Sequence, residues 1–327
     1  PPIKNRYRPL NPGLEENLRQ QIAAWLAQRV IEPADSPWSS NLVPVRKKNG
    51  EIRWCVDWRR LNEVTRKDSW PMPTVTETLY RLAGSRIFSG VDMAGAFHCI
   101  DIHPKDREKT AFATPFGSFQ QRRLGFGLTN GPATYCRLVD LVLKDIPPSQ
   151  AISFMDDGVI HSATFVQHLE NLRKTLQAYG RAGLKLNPAK CEFFSRQITY
   201  LGHVLDENGV RPLPSYVDAV KKWPLPRLKT EARAFLGLTG YYRQHIKDYA
   251  AIAAPWTDVI GKTDAAAEKK PLEVSEAMKT SFETLKERLC AAPVLGFPYF
   301  KGERAGQFIL DTDFCKDQIA GVLSQMQ

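Results

Sequence analysis

The chain has 327 residues, 43% of them hydrophobic and 24% charged, which is ordinary for a folded soluble protein and long enough for two or more cores. Its formal net charge of +10 favours a polyanionic partner, because Lys and Arg that neutralise phosphates release condensed counterions, although many basic proteins have no such partner. The six cysteines include no CxxC pair and no apolar run reaches membrane-spanning length. This pattern argues against a disulfide framework, structural zinc and a membrane span, and predicts a reducing, intracellular setting.

The first predicted elements are a helix and a basic hairpin. Apolar residues at helical spacing predict a helix over 12–33. Two apolar runs, 42–45 and 52–56, flank Asn49-Gly50, and Asn-Gly between such runs is a strong hairpin signal. The predicted hairpin carries a cluster of cations at and behind its tip, namely Arg46, Lys47, Lys48 and Arg53.

The middle of the chain places acidic residues at the ends of apolar strands. A strand over 86–91 ends at Asp92, and helices are predicted over 130–143 and 165–181. Between those helices, two apolar runs bracket Asp156-Asp157. Because Asp-Gly is a hairpin turn signal, Asp157-Gly158 predicts that the acid pair lies at a hairpin tip.

The last third alternates short elements with turns. A hairpin over 198–205 precedes a Glu207-Asn208-Gly209 turn, and short helices separated by prolines follow it. Further on, the sequence predicts a linker or exposed loop at 261–271, a helix at about 275–290, and a strand at 307–310 that ends at Asp311-Thr312-Asp313.

The three carboxylates of Asp92, Asp156 and Asp157 are candidates for a metal site. An Asp-Asp pair alone is weak, since roughly one is expected by chance and a solvated turn accounts for it. If the strands are neighbours, however, the three carboxylates meet and repel one another unless a cation neutralises them. Oxygen-only ligands favour Mg²⁺ or Mn²⁺, and two such ions roughly 3.5–4 Å apart serve nucleotidyl transfer. Cations such as Arg53 would supply positive charge for a triphosphate.

Six segments, taken together and in this order, resemble the reverse transcriptases of LTR retrotransposons. The likeness is to the gypsy-type (metavirus) group in particular, with gammaretroviral enzymes further off. The segments are Val45–Gly50, Arg53–Asn62, Phe88–Asp92, Phe126–Thr134, Phe154–Asp157 and Tyr200–His203.

The resemblance implies an α+β right-hand polymerase with an antiparallel palm sheet. It places interleaved fingers and palm over 1–205, the thumb over 206–260, and a connection or truncated RNase-H-like region over 261–327. The implied activity is RNA- and DNA-templated DNA synthesis, in which a primer is extended with dNTPs on an RNA/DNA or DNA/DNA template–primer. The implied cofactor is a pair of Mg²⁺ ions, for which Mn²⁺ can substitute. No membrane partner is expected, a monomer and a dimer both stay open, and the expected location is a cytoplasmic virus-like particle, with nuclear entry left open.

The resemblance also assigns roles to individual residues. Asp92, Asp156 and Asp157 match the catalytic metal ligands, and Leu201 and Gly202 match the primer grip. Phe97 matches an aromatic gate that would collide with a ribose 2′-OH, although a plain core aromatic is the alternative. The residues matched to dNTP binding are Lys47, Arg53, Met93, Ala94, Gly95, Ala96, Phe97, Phe126 and Gly127.

Some features depart from the family pattern or leave alternatives open. Phe154 stands where Tyr is usual, but no carboxylate is missing, so an active enzyme is expected. For Tyr241 and Tyr242 in the implied thumb, helix packing is the expected role of at least one. Asp313 matches the first RNase H carboxylate of gypsy-type enzymes, whereas in gammaretroviral enzymes the same stretch is an inert connection.

The two ends of the chain and two rival functions complete the expectations. The chain begins Pro1-Pro2 and stops before the other RNase H carboxylates, so a piece of a longer protein without RNase H activity is expected. A polymerase that makes RNA is disfavoured by the bulky Phe97. A catalytically silent, domesticated nucleic-acid-binding protein is disfavoured by the presence of all three carboxylates.

Overall fold

A computed structural model describes residues 1–46, 50–261, 271–293, 295–297, 306–315 and 318–325. Its backbone divides into two compact units that are interleaved along the sequence. The first consists of Pro1–Thr74, Gly90–Ile160 and Leu169–Glu192, and the second of Val75–Ser89, His161–His168 and Phe193–Gln327. The subdomain boundaries predicted at residues 205 and 260 stay predictions, because neither residue marks a boundary between the two units.

The described chain contains both helices and strands throughout. The helices are α1 (Glu15–Ala27), α2 (Arg59–Val64), α3 (Val75–Tyr80), α4 (Pro104–Arg107), α5 (Gly131–Val142), α6 (Phe165–Arg181), α7 (Pro214–Lys221), α8 (Lys229–Tyr241), α9 (Tyr249–Ile260) and α10 (Glu276–Cys290). The strands are β1 (Ile31–Pro33), β2 (Ser40–Arg46), β3 (Ile52–Val56), β4 (Ile87–Asp92), β5 (Phe112–Thr114), β6 (Gly117–Gln121), β7 (Ala151–Phe154), β8 (Asp157–Ser162), β9 (Glu192–Ser195), β10 (Ile198–Tyr200), β11 (His203–Asp206), β12 (Gly209–Pro212), β13 (Phe308–Cys315) and β14 (Gln318–Gln325).

The strands form sheets in which antiparallel neighbours predominate. One sheet has the order β1-β6-β5-β2-β3, in which β2 and β5 are parallel while β2 and β3 form an antiparallel hairpin. A second sheet has the order β7-β8-β4-β9, with β7 and β8 antiparallel. Strands β10, β11 and β12 form an antiparallel meander, and β13 pairs with β14. The second sheet places the ends of β4, β7 and β8 side by side.

Two hydrophobic clusters stabilise the first unit. One lies between α1 and the five-stranded sheet, where Leu18, Trp54 and Phe112 are buried. The other packs α5 and α6 beneath the acidic strand ends and contains the fully or almost fully buried Tyr135 and Tyr179. Helix α6 reaches this core because Leu172, Leu176 and Tyr179 lie on one face at helical spacing.

The second unit has its own core, formed by helices α7 to α10. Phe235, Trp256 and Phe282 are buried at its centre, and the Phe235 and Phe282 rings lie 4.7 Å apart between centroids. Helix α10 begins where the Ser275 hydroxyl accepts a hydrogen bond from the Met278 backbone N–H, which satisfies one of the free donors of the first turn. Among the described residues, no helix combines the length and apolar character needed to cross a membrane.

Most predicted elements are confirmed, but one helix is too long in the prediction and one strand is too short, since the strand predicted over 307–310 continues through Asp311 and Asp313 to Cys315. The helix over 165–181 and the strand ending at Asp92 are confirmed, as is the hairpin of β2 and β3. The helix predicted over 12–33 ends at Ala27, because Arg29 adopts a left-handed conformation (φ 54°) and Ile31–Pro33 pairs as a strand with β6. The Asn49 part of the basic turn and most of the predicted 261–271 linker lie outside the described residues.

Candidate active site

Neighbouring strands of the second sheet bring the three predicted catalytic aspartates together. Asp92 is the last residue of β4, Asp157 is the first residue of β8, and Asp156 lies in the turn between β7 and β8. The Met93 backbone N–H donates to the Asp156 carbonyl at 3.2 Å, so the end of β4 is tied directly to this turn. The buried strands behind the aspartates therefore fix their backbones at one edge of the sheet.

The turn between β7 and β8 is tight and conformationally strained. Phe154 pairs with Asp157, which leaves Met155 and Asp156 as the two turn residues. Met155 has φ 53°, a left-handed conformation that is uncommon for a residue with a side chain and that often occurs at functional sites. The Ser153 hydroxyl donates to the Met155 carbonyl at 2.9 Å and supports this conformation.

The acid pair lies at a hairpin tip, as predicted, but the two turn residues are Met155 and Asp156. Gly158, whose pairing with Asp157 suggested the turn, lies inside β8 and its φ is not positive. Packing explains the glycine instead. A Cβ atom on Gly158 would lie 2.8 Å from Val91 Cγ2 and 3.1 Å from the Tyr179 hydroxyl oxygen. The residue after the acid pair thus allows β8 to approach β4 closely, which is what places Asp157 beside Asp92.

The acid cluster is electrostatically unfavourable without a cation. Partial withdrawal from water raises the pKa of Asp157, and the negative charges of Asp156 and Asp92 raise it further, while Lys190 opposes the increase. The Lys190 ammonium lies 3.2 Å from Asp92 Oδ2 and supplies positive charge to the cluster. Asn187, which donates its N–H to the Asp92 carbonyl at 2.9 Å, anchors the segment that carries Lys190.

The donor chemistry of this cluster fits divalent metal ions. Three carboxylates without Cys or His are the oxygen ligands that Mg²⁺ and Mn²⁺ prefer, and their mutual repulsion favours a bound cation. Across the described residues, no three His, Cys, Asp or Glu side chains are gathered closely enough to form a closed metal-binding group. The aspartates are therefore neighbours with interacting charges, and the Lys190 ammonium contacts one of them, Asp92.

In the first unit, a row of packed aromatic rings extends from the buried Tyr135 to the guanidinium group of Arg53. The Phe97 ring lies edge-on to Tyr135 (centroids 5.7 Å apart) and to Phe126 (5.2 Å). The guanidinium carbon of Arg53 lies 5.0 Å from the Phe126 ring centroid, within the range of a cation–π interaction. His98 packs edge-on against Phe126 at 5.2 Å, and burial lowers its pKa, which favours the neutral ring. The predicted gate and the predicted phosphate-binding Arg53 thus share Phe126 as a common neighbour.

The loop that carries Phe126 and Gly127 is held by two residues of the Arg53–Asn62 segment. Trp58 Nε1–H donates to the Phe126 carbonyl at 3.1 Å, and the Asn62 side-chain amide donates to the Gly127 carbonyl at 2.9 Å. Asn62 also accepts from the Thr129 N–H at 2.9 Å. Gly127 has φ 88°, and a Cβ there would meet the Trp58 ring at 3.4 Å. Hydrogen bonds therefore join the Arg53–Asn62 segment to the Phe126–Thr134 segment.

The remaining predicted nucleotide-binding residues differ in accessibility. Ala94 and Gly95 are exposed, whereas the Met93 and Ala96 side chains are buried in the core beneath the strand ends. Met93 and Ala96 can therefore contact a nucleotide only through their backbone. Lys47 lies outside the described residues. A cavity of about 380 Å³ opens beside this region, and its lining includes Arg53, Trp58, His98 and Phe126.

The predicted primer-grip residues belong to the second unit. Leu201 and Gly202 form the two-residue turn between β10 and β11 and have φ values of 46° and 69°. Their predicted role and that of Asp313, whose side chain lies outside the described part, stay predictions.

Sequence reasoning missed the residues that support this site through distant contacts. Lys190 was not singled out, because the local sequence does not show that it lies beside Asp92. The two residues come together through an antiparallel bridge between Met93 and Leu186. Asn62 stood inside a recognised segment without an assigned role. The available signal was the spacing, because Asn62 follows Trp58 by four residues. On a short helix such as α2, this spacing places the Trp58 and Asn62 side chains on the same face.

Known proteins resemble this chain in sequence. Residues 45–205 match the family model described as reverse transcriptase (RNA-dependent DNA polymerase). Over 99% of its length, the chain is 35% identical to the retrovirus-related Pol polyprotein from transposon 297 of Drosophila melanogaster, and covers 30% of that polyprotein. It is 32% identical to the Pol polyprotein from transposon gypsy of the same organism, again over 99% of the chain, and covers 32% of it. The chain thus spans about a third of these curated relatives.

Solved structures resemble the whole chain. A foamy viral protease–reverse transcriptase in complex with double-stranded DNA superimposes with a TM-score of 0.85 at 21% identity, over 99% of this chain and 56% of that chain. A foamy viral protease–reverse transcriptase with an RNA/DNA hybrid gives 0.80 at 22% identity, over 91% of this chain and 39% of that one. At these identities the likeness shows the fold alone, and it confirms the α+β polymerase fold predicted from the sequence. The predicted resemblance to gypsy-type elements is also confirmed.

Proposed function

Because residues 45–205 match the reverse transcriptase family model, we propose that the chain synthesises DNA on RNA and DNA templates by extending a primer with dNTPs. The observation that carries the proposal is the position of Asp92, Asp156 and Asp157 at adjoining strand ends of one sheet. The curated relatives are polyproteins about three times as long as the chain, so the proposal concerns the polymerase reaction and no other step.

In the proposed reaction, the primer 3′-hydroxyl attacks the α-phosphate of the dNTP and pyrophosphate leaves. Most of the rate is expected from positioning and charge stabilisation, since phosphoryl transfer requires little covalent chemistry from the protein. Arg53 presents a planar guanidinium suited to forked contacts with triphosphate oxygens, and its cation–π contact with Phe126 fixes where that group lies. Phe126 would thus orient Arg53 toward the phosphates.

Two Mg²⁺ ions are proposed as cofactors, and Mn²⁺ is expected to substitute for them. Asp92 and Asp156 would hold the ions, and Asp157 would support them. The chemistry that such a pair supplies is charge stabilisation of the attacking and leaving oxygens. The raised pKa of Asp157 supports this assignment, because neighbouring carboxylates that disfavour each other's charge gain most from a bound cation.

Selection of deoxynucleotides is proposed to depend on Phe97. Its ring is braced on one side by the buried Tyr135 and on the other by Phe126, so it cannot move aside without disturbing both neighbours. A braced ring excludes a 2′-hydroxyl more strictly than a mobile one, because yielding would lose two aromatic contacts worth about 0.5–1.5 kcal/mol each.

The proposed partner is an RNA/DNA or DNA/DNA template–primer duplex. The net charge of +10 supports this proposal. So do the two similar solved structures, one of which is in complex with double-stranded DNA and the other with an RNA/DNA hybrid. We also propose a cytoplasmic virus-like particle as its location, on the ground that the sequence relatives are transposon polyproteins.

Primer extension tests the proposed function. The chain is incubated with dNTPs and a labelled DNA primer annealed to RNA or to DNA, with Mg²⁺, with Mn²⁺, or with excess chelator. Extension on both templates that stops with chelator and resumes when Mg²⁺ is restored is the expected result. Binding of the duplex without extension on either template would instead identify a catalytically silent nucleic-acid-binding protein and overturn the proposal.

A further inference from the structure

The Leu201–Gly202 turn holds a conformation that its sequence does not favour. Tyr200 pairs with His203, so Leu201 and Gly202 are the two central residues of a hairpin turn, both with positive φ. Turns of this type favour Asn-Gly or Gly-Gly, because a Cβ atom such as that of Leu201 crowds the following carbonyl oxygen in the left-handed region. Something outside the turn must stabilise it.

Both carbonyls of the turn are held by side chains and backbone from elsewhere in the second unit. The Tyr241 hydroxyl donates to the Leu201 carbonyl at 2.7 Å, and the Tyr242 hydroxyl donates to the Gly202 carbonyl at 2.6 Å. Each carbonyl has a second donor, since His203 Nδ1–H lies 2.7 Å from the Leu201 oxygen and the Leu213 N–H lies 3.1 Å from the Gly202 oxygen. These four donors stabilise the strained turn.

Three tyrosine rings also enclose the turn glycine. A Cβ on Gly202 would lie 3.2 Å from Tyr216 Cε2, 3.2 Å from the Tyr242 hydroxyl and 3.4 Å from Tyr241 Cε1. Tyr242 is fully buried, whereas Tyr241 is 44% exposed. The rings of Tyr241 and Tyr242 pack edge-on at the end of α8, with their centroids 5.1 Å apart. This packing holds both hydroxyl groups in place.

We propose that Tyr241 and Tyr242 are positioning residues for the primer 3′ end, acting through the Leu201–Gly202 turn. This inference rests on the proposed polymerase function and on the assignment of the turn as the primer grip. In a trans peptide the C=O and N–H groups point in opposite directions, so the Tyr241 contact with the Leu201 carbonyl also sets the direction of the Gly202 N–H. A backbone N–H held in this way is suited to a phosphate oxygen of the primer backbone.

The hydroxyl contacts also join the turn to helix α8. Tyr241 is the last residue of α8 and Tyr242 follows it, so the two hydrogen bonds tie the turn to the end of the helix. Loss of a hydroxyl would let the turn relax while both rings, and any stacking of Tyr241 on nucleic acid, stay in place.

Single-turnover incorporation of one dNTP by the whole chain tests the proposal, using Tyr241→Phe, Tyr242→Phe and the double variant. We expect the maximal rate kpol to fall about fivefold to tenfold for each single variant, as for the loss of one hydrogen bond. The dNTP affinity, which depends on the first unit, should be unchanged. A 2-aminopurine base in the template opposite the primer terminus should report an altered fluorescence, which a loss of stability alone would not cause.

Tyr249→Phe is the matched control. Its hydroxyl contacts the Leu236 carbonyl and the Thr239 hydroxyl within the same helical core and does not touch the turn, so kpol and fluorescence should match the wild type. Thermal melting of all variants identifies any general loss of folding. An active wild type whose tyrosine variants retain kpol and fluorescence overturns this inference alone. A wild type that extends no primer overturns both the inference and the proposed function.

Discussion

Replacing Gly158 by alanine should disturb the acid cluster by overpacking. The added Cβ would lie 2.8 Å from Val91 Cγ2, well inside the usual carbon contact distance of about 3.5–4.0 Å. Val91 and Tyr179 are 3% and 2% exposed, so neither neighbour can move into solvent. We expect Gly158→Ala to lower the free energy of unfolding by about 1–3 kcal/mol. The strand β8 that carries Asp157 would also shift, with a loss of polymerase rate of up to about tenfold.

Urea unfolding of a double-mutant cycle checks the cause. Val91→Ala removes the Cγ2 atom that the new Cβ meets, so Gly158→Ala with Val91→Ala should be more stable than the sum of the two single effects predicts, by about 0.5–3 kcal/mol. If Gly158→Ala is as stable as the wild type, or if the two effects simply add, the packing explanation of this glycine is wrong.

Three further predictions concern a buried hydroxyl, an ion pair and the gate. The Tyr179 hydroxyl is buried without a hydrogen-bond partner in the described part of the chain, so Tyr179→Phe should raise the free energy of unfolding by about 1 kcal/mol in urea titrations; a clear loss would contradict this. The Arg59 side chain lowers the pKa of Asp57 to about 2. The stability from this pair is therefore complete above the ordinary aspartate pKa of about 3.9 and is lost as the pH falls through 2. Asp57→Asn should lower stability at pH 7 and flatten its pH dependence in this range, and an unchanged urea profile would refute the pairing. Phe97→Ala should raise incorporation of ribonucleotides relative to deoxynucleotides by at least about tenfold in primer extension, and unchanged selectivity would remove Phe97 from the gate.

Local sequence patterns predicted the elements that depend on local physics. Helix α6 has the bounds 165–181 that its apolar spacing predicts, because one face is long enough to define its period. Strand β4 ends at Asp92 as predicted. The aspartates themselves followed from ordered segments whose spacing is characteristic of the family, and the sheet order places them together.

Features that depend on tertiary neighbours could not be predicted in this way. Gly158 has the local signature of a turn, yet its identity is required by Val91 and Tyr179, which lie far away in sequence. The contact between Lys190 and Asp92 spans 98 residues, and no periodicity encodes it. Helix packing is the role that the sequence predicts for at least one of Tyr241 and Tyr242. Their hydrogen bonds to the Leu201–Gly202 turn could not be predicted, because a pattern along the chain does not reveal a hydroxyl's acceptor on another element.

The central claim is that the carboxylates at the strand ends catalyse DNA synthesis on an RNA template. Single-turnover incorporation of one dNTP on an RNA template with Mg²⁺ tests it most directly, comparing the wild type with Asp156→Asn. Asp101→Asn is the control, since Asp101 is an exposed carboxylate paired with Arg123. We predict a loss of more than about 100-fold for Asp156→Asn, because even outer partners of metal ligands cost about 10–100-fold. The control should stay within about twofold of the wild type, as surface substitutions usually do. Equal rates for Asp156→Asn and the wild type would contradict the claim.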